Sequence, residues 1–184
     1  MRVRTKVDMR YQYGMIHGRF QPFHLEHLRY FHLAWEQSEK VIVGITNPDP
    51  STIVADKSSD HRHLPEENPL TFIERLIMIQ ETLRAEGYPM ERIYIVPMPI
   101  HNPERWQYYI PADTVMFVVA YTTWEREKAK RLRSAGYEVV EVDNLKKGIS
   151  GSQIRSLIRN KGDWEKLVPP AVARFIRQRP ENGQ

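Results

Sequence analysis

The sequence predicts an α/β protein: a doubly wound parallel sheet followed by C-terminal helices. Three observations point to it. Short apolar runs alternate with longer segments of helical period, from Tyr13–His17 near one end to Ala171–Arg177 near the other. The run Lys40–Thr46 (KVIVGIT) is almost continuously apolar, as in a strand covered on both faces. Glycine and cap residues separate the runs, as at Gly18, Thr71 and Gly136. Strand–helix alternation of this kind requires right-handed crossovers.

Taken in order, Tyr13–His17 is the first strand and ends at Gly18. A helix follows over His24–Gln37, where Leu28, Phe31 and Trp35 recur at spacings of three and four on one face. After the strand Lys40–Thr46 comes Asn47–Pro69, with four prolines, many charges, His61 and His63, and no period. We read it as a long loop, a feature that is usually functional or disordered within a compact domain. Thr71 with Glu74 three residues on forms a capping box, and Phe72, Leu76, Ile79 and Leu83 mark the apolar face of the helix it opens. Arg92–Val96 is a third strand, Pro103–Ile110 an aromatic connector and Thr114–Val119 a fourth strand. A charged helix spans Thr123–Ser134 and a fifth strand Glu138–Val142. Helices over Ser150–Asn160 and Ala171–Arg177 make up a C-terminal helical part, residues 150–179.

The whole of 1–184 reads as a single domain, long enough to bury a sizeable core. The formal charge of +4 suits an anionic small substrate and is too weak to argue for nucleic acid. With no cysteine, disulfides, thiolate metal sites and a cysteine nucleophile are excluded. No run approaches the roughly 18 apolar residues that span a bilayer. Met1–Arg10 is basic with no apolar stretch behind it, unlike a secretory signal, so the expected location is the cytoplasm, without membrane association.

Two groups carry chemistry. The first is Gly18-Arg19-Phe20-Gln21-Pro22-Phe23-His24-Leu25-Glu26-His27, at a strand-to-helix turn. In a doubly wound sheet this is the carboxyl edge, where ligands bind, and a helix N-terminus there suits phosphate. Gly18 permits close backbone approach, Arg19 offers a two-pronged phosphate contact, and His24 and His27 share one helical face. The plainer alternative is two polar residues on an amphipathic helix. A zinc pair completed by His61 and His63 is another, although helical zinc pairs more often use i, i+4. The second group is Ile149-Ser150-Gly151-Ser152-Gln153-Ile154-Arg155. Ser150 and Gln153 form a capping box, which by itself makes only a well-capped helix. With Ser152 and Arg155 added, the same turn can hold a second anion.

Together these residues resemble the nicotinamide-nucleotide adenylyltransferases of archaeal type, within the HxGH nucleotidyltransferase superfamily. Gly18–His27 looks like that family's GRFQPFHxGH, Asn68–Leu76 like its NPFTxxER stretch, and Ser150–Arg155 like its SGTxIR motif. Gly162-Asp163-Trp164 and Leu167-Val168-Pro169 continue the match. The resemblance implies a Rossmann-like nucleotidyltransferase fold and direct, pyrophosphate-releasing transfer of a nucleotide from ATP or another nucleoside triphosphate to a phosphorylated small-molecule acceptor. It implies His24, His27 and Arg155 as catalytic groups. Gly18, Arg19, Phe20, Ser150 and Ser152 would bind nucleotide or phosphate, and Trp106 the acceptor, by stacking on its ring. For Trp106 the alternative is core or lid packing. Mg2+ would be the cofactor, held through phosphates and water with no protein metal site, and the chain would form a homo-oligomer.

Three departures bear on the acceptor and the base. Glu26 stands where the family has glycine, and a carboxylate there repels a triphosphate unless it points away or faces the metal; the latter is the expectation preferred here. The loop Asn47–Glu67 is longer than its family counterpart. Ala120-Tyr121-Thr122-Thr123-Trp124 replaces the family's Gly-Asn-Pro. The first expectation is adenylyl transfer to nicotinamide mononucleotide, giving NAD. The alternatives are nucleotidyl transfer, such as cytidylyl transfer, to another phosphate or phosphonate, and a non-enzymatic nucleotide-binding sensor. His17, Tyr108 and Tyr109 are further residues that ligand contact or packing would equally explain.

Overall fold

A computed structural model describes residues 10–53, 63–120, 123–142 and 148–179. Five strands form one parallel sheet: β1 (Tyr11–Gly18), β2 (Ser38–Thr46), β3 (Ile93–Met98), β4 (Thr114–Val119) and β5 (Glu138–Val142). Their spatial order is β3-β2-β1-β4-β5. The chain therefore winds outward from β1 in one direction, returns, and winds outward in the other, which places a topological switch between β1 and β4.

Helices α1 (Leu25–Gln37) and α2 (Phe72–Ala85) make the first two crossovers, and α3 (Thr123–Ser134) joins β4 to β5. Helices α4 (Gly151–Arg159) and α5 (Pro170–Gln178) complete the C-terminal part. Side chains alternate across the pleat, so the two faces build two cores. Ile16, Val43, Ile45, Val115 and Phe117 face one core, shared with Phe31, Met78, Leu83, Ile154 and Val172. Met15, Ile42, Met98, Met116 and Val118 face the other, with Trp106, Ile110, Ala129 and Leu132.

Each expected strand and helix is present, with ends moved by one or two residues. The third strand continues through Pro97, beyond the expected end at Val96. It lies at the sheet edge, where a missing N–H on the open side costs no ladder bond. The expected loop 47–69 contains two short 3-10 turns, Pro50–Thr52 and Pro65–Glu67, while His61 lies outside the described residues. So do Tyr121 and Thr122 of the fourth-strand departure.

β1 and β4 pair only from Tyr13↔Thr114 to Met15↔Met116, although both strands run further. Beyond that point the Phe117 carbonyl accepts a hydrogen bond from the Tyr30 hydroxyl of α1. The strands thus part company at their carboxyl ends, at the switch point, beside Gly18.

Candidate active site

The turn after β1 is shaped by residues that give up ordinary backbone geometry. Phe20 has φ +53°, the left-handed region that bulky residues rarely enter. That turn tucks its ring into the core, 1% exposed, against Phe23 and His27 (centroids 5.6 and 4.9 Å). Phe20 therefore supports the site from below through its side chain. His24 caps α1 and His27 lies one turn on. Their rings stack with centroids 3.6 Å apart and planes inclined by 20°. The backbone N–H of His24 donates to His27 Nδ1 at 3.3 Å. With Nδ1 accepting, the neutral ring carries its proton on Nε2 and presents a donor.

The head of α4 faces this turn. Ser150 caps the helix by accepting from the Gln153 N–H at 3.2 Å. Gly151 is required by close approach: a Cβ there would meet the Gln21 carbonyl oxygen at 2.8 Å. Arg155 is 5% exposed and donates through Nη1 to that same carbonyl, so the first motif grips the second directly. Its Nη2 reaches Ser152 Oγ at 3.0 Å and the Glu67 carboxylate. Burial lowers the Arg155 pKa, opposed by the charge of Glu67. Arg19 lies on the other side of Glu67, donating from Nη1 to its backbone carbonyl at 3.3 Å.

Arg75 fastens the whole edge. This side chain, 1% exposed, donates to the carbonyls of Arg19 (2.9 Å), Thr46 (2.7 Å), Asn47 (2.8 Å) and Thr71 (3.2 Å). One guanidinium thus ties the ends of β1 and β2 to the start of α2. Desolvation pushes its pKa down to about 10, which leaves it charged at neutral pH. Gln21 pins Leu70 with both amide atoms, at 2.8 and 2.9 Å.

Glu26 reaches across from the start of α1 to the segment before α4. Its Oε1 accepts from the backbone N–H groups of Gly148 (2.6 Å) and Ile149 (2.9 Å). The carboxylate thus holds the segment that leads into Ser150, a role its place in the sequence did not suggest. The structure thus brings Gly18, Arg19, Phe20, His24, His27, Ser150, Ser152 and Arg155 to one edge. Trp106 is elsewhere, in the second core, 1% exposed, with its indole N–H donating to the Pro99 carbonyl at 2.9 Å and its ring near Tyr137. In this conformation it offers no open ring face, whereas the neighbouring Tyr108 is 77% exposed.

His17 lies one residue before the end of β1 on the Trp106 side, 2% exposed, with no hydrogen-bond partner for either ring nitrogen among the described residues. Burial, helped by the charge of Lys128, holds its pKa well below the ordinary histidine value. Among the described residues no group of three or more His, Asp or Glu side chains could hold a metal ion. No described helix is long and apolar enough to cross a membrane. Pattern alone did not single out Gln21, Glu67 and Arg75; the available signal was their place inside or beside the two quoted motifs.

A parallel sheet with two phosphate-suited strand-to-helix turns meeting at its switch point is the plan of a nucleotidyltransferase, and that is the class of this enzyme. The chain belongs to the cytidylyltransferase-like family, whose pattern matches residues 15–157. It is 43% identical to phosphonoformate cytidylyltransferase from Streptomyces viridochromogenes over 90% of each chain. It is 31% identical to nicotinamide-nucleotide adenylyltransferase from Thermococcus kodakarensis, over 90% of this chain and 82% of that one. The fold matches a bifunctional NMN adenylyltransferase/ADP ribose pyrophosphatase from Francisella tularensis with TM-score 0.66 at 19% identity, over 92% of this chain and 51% of that one. A second structure of the Francisella protein is complexed with AMP and a manganese ion.

Proposed function

We propose that this enzyme transfers a cytidylyl group from CTP to a small phosphonate of the phosphonoformate kind, releasing pyrophosphate. The observation that carries this is the 43% identity to phosphonoformate cytidylyltransferase, spread over nine-tenths of both chains. Adenylyl transfer to nicotinamide mononucleotide, the first expectation from the sequence, becomes the second reading. It is supported by the 31% likeness to the Thermococcus adenylyltransferase. The enclosed Trp106 counts against it, because stacking on a nicotinamide ring needs an open indole face.

In either reaction an ionised acceptor oxygen attacks the α-phosphorus in line. The new P–O bond forms as the bond to the bridging oxygen of pyrophosphate breaks, and no proton need be removed from the nucleophile. The protein's task is then positioning and charge stabilisation. His27, proton on Nε2, and His24 stacked on it would donate to the triphosphate. Arg19, Ser150, Ser152 and Arg155 would hold its phosphates at the head of α4, where the helix N-terminus adds partial positive charge. Gly18 would admit the nucleotide close to the backbone. Mg2+, bound through the phosphates, would supply neutralisation of their charge. Tyr108 is the exposed aromatic nearest in sequence to Trp106 and is available to an acceptor.

A matrix of CTP, ATP, GTP and UTP against phosphonoformate and nicotinamide mononucleotide, scored by pyrophosphate release, tests this. Turnover is expected for CTP with phosphonoformate. Preference for ATP with nicotinamide mononucleotide would reinstate the second reading. Nucleotide binding without pyrophosphate release from any pair would favour a sensor.

A further inference from the structure

Glu67 closes the long segment from β2 to α2, on the 3-10 turn Pro65–Glu67, which has no buried residue. Its carboxylate nevertheless sits in well-built surroundings. Oε2 accepts from Arg155 Nη2 and from Ser152 Oγ at 3.0 Å, and Arg19 Nη2 lies 4.0 Å away. These partners come from the β1–α1 turn and the head of α4, two segments far apart in sequence. An oxygen anion met by a serine hydroxyl and two guanidinium groups is in the environment that a phosphoryl oxygen takes.

We propose that Glu67 is an internal stand-in for a phosphoryl oxygen: it fills the phosphate subsite of the free enzyme and must leave when the triphosphate enters. It is thus a specificity-determining residue, which sets the affinity for phosphates and couples their entry to movement of residues 63–69. This rests on the reading of Arg19, Ser152 and Arg155 as triphosphate ligands.

Two observations favour displacement over a permanent brace. A carboxylate and a phosphate cannot both take the same hydroxyl and guanidinium groups, and side by side they repel. The turn is also lightly attached. Its backbone–backbone bonds are local, Glu67 N–H to the Leu64 carbonyl (3.1 Å) and Asn68 N–H to the Pro65 carbonyl (2.9 Å), and the long-range bond to its backbone, Arg19 Nη1 to the Glu67 carbonyl (3.3 Å), comes from a side chain of the proposed phosphate site itself. Leu70 just beyond is 6% exposed and pinned by Gln21 at both its N–H and its carbonyl. The arm can therefore swing about a fixed point. Displacement sets a threshold as well. A lone phosphate gains few contacts in exchange for the Glu67 interactions, whereas a polyphosphate gains more, so Glu67 screens the site against inorganic phosphate.

The test is calorimetric titration of the full chain with pyrophosphate and with inorganic phosphate, comparing wild type, E67Q and E67D, alongside amide exchange of the wild type. E67Q keeps the shape and removes the charge. It should tighten pyrophosphate binding about tenfold, as expected for loss of one competing ion pair, and should bring phosphate binding into measurable range. E67D, with its carboxylate, should stay near wild type. Pyrophosphate should speed exchange at residues 64–68 of the wild type while slowing it at 150–155. Equal or weaker pyrophosphate binding by E67Q overturns the proposal, as does slower exchange at 64–68. Should E67Q not fold, the wild-type exchange pattern decides. Absence of protection at 150–155 would remove the phosphate-site reading itself, and the proposal with it.

Discussion

Replacing Glu26 by glycine, the residue the resembling family carries there, isolates what the carboxylate does. In the structure its Oε1 accepts two backbone N–H groups, Gly148 at 2.6 Å and Ile149 at 2.9 Å, directly before the Ser150 cap. Hydrogen bonds to a charged acceptor are worth about 1.5–3 kcal/mol each when buried. Gly148 is exposed and Ile149 half-buried, so water competes, and we assign about 1–2 kcal/mol to the pair. That energy orders the segment that delivers Ser150, Ser152 and Arg155. In the variant the ordering must be drawn from substrate binding, which predicts a rise of about 5- to 30-fold in KM for the triphosphate. Turnover at saturation should change little, because the bound complex restores the same arrangement. Glu26→Gln, retaining an uncharged acceptor, should fall between. The assay is pyrophosphate release across nucleotide concentrations, repeated across a magnesium titration. The half-saturating magnesium concentration should not move. A fall in KM would show that the carboxylate competes with the triphosphate, and a raised magnesium requirement would show that it serves the metal; either result refutes the tether.

Four further outcomes follow from the geometry. His24→Ala and His27→Ala should each lower kcat by on the order of 100-fold with smaller effects on nucleotide affinity, and near-wild-type turnover in steady-state kinetics would remove both from the chemistry. Arg75→Met should lower unfolding stability by about 3 kcal/mol or more, since four carbonyls lose their donor and one shape-matched side chain cannot replace it; chemical denaturation with an unchanged midpoint would contradict this. Gly151→Ala should destabilise by about 1–3 kcal/mol because its Cβ meets a backbone oxygen that cannot yield, and should weaken triphosphate binding with it; a calorimetric titration and a melt read both. His17 takes up a proton in the unfolded chain more readily than in the folded one, since burial lowers its folded pKa. Its contribution is therefore complete above the unfolded value of about 6.5 and is lost as pH falls below it, by up to about 1.4 kcal/mol per pH unit. Comparing denaturation across pH for wild type and His17→Phe should show this part of the slope disappear; identical slopes would place the acid sensitivity elsewhere.

The sheet and its order of elements were legible in the chain because the signals are local. Apolar runs such as KVIVGIT, the Thr71–Glu74 capping box and Gly136 act over a few residues and read the same in any context. The two motifs were legible for the same reason: each is a contiguous turn, and glycine, serine, histidine and arginine at a helix start suit an anion whatever lies opposite. Contacts between turns are another matter. Gln21 grips Leu70 across 49 residues, Arg155 donates to the Gln21 carbonyl across 134, and Glu26 reaches Gly148 across 122. No periodicity encodes such pairings, so Glu26 drew an expectation of metal service from its charge alone, and Glu67 drew none. Trp106 shows the same division. Its composition suits a stacking platform, but whether the ring faces a ligand or the second core depends on how Pro103–Tyr108 packs across β3 and β4. Local sequence determined the elements, their order and the kinds of groups at the carboxyl edge. The tertiary structure decided which charge answers which, because electrostatic and hydrogen-bond partners are chosen by distance in space, which the chain fixes only once it has folded.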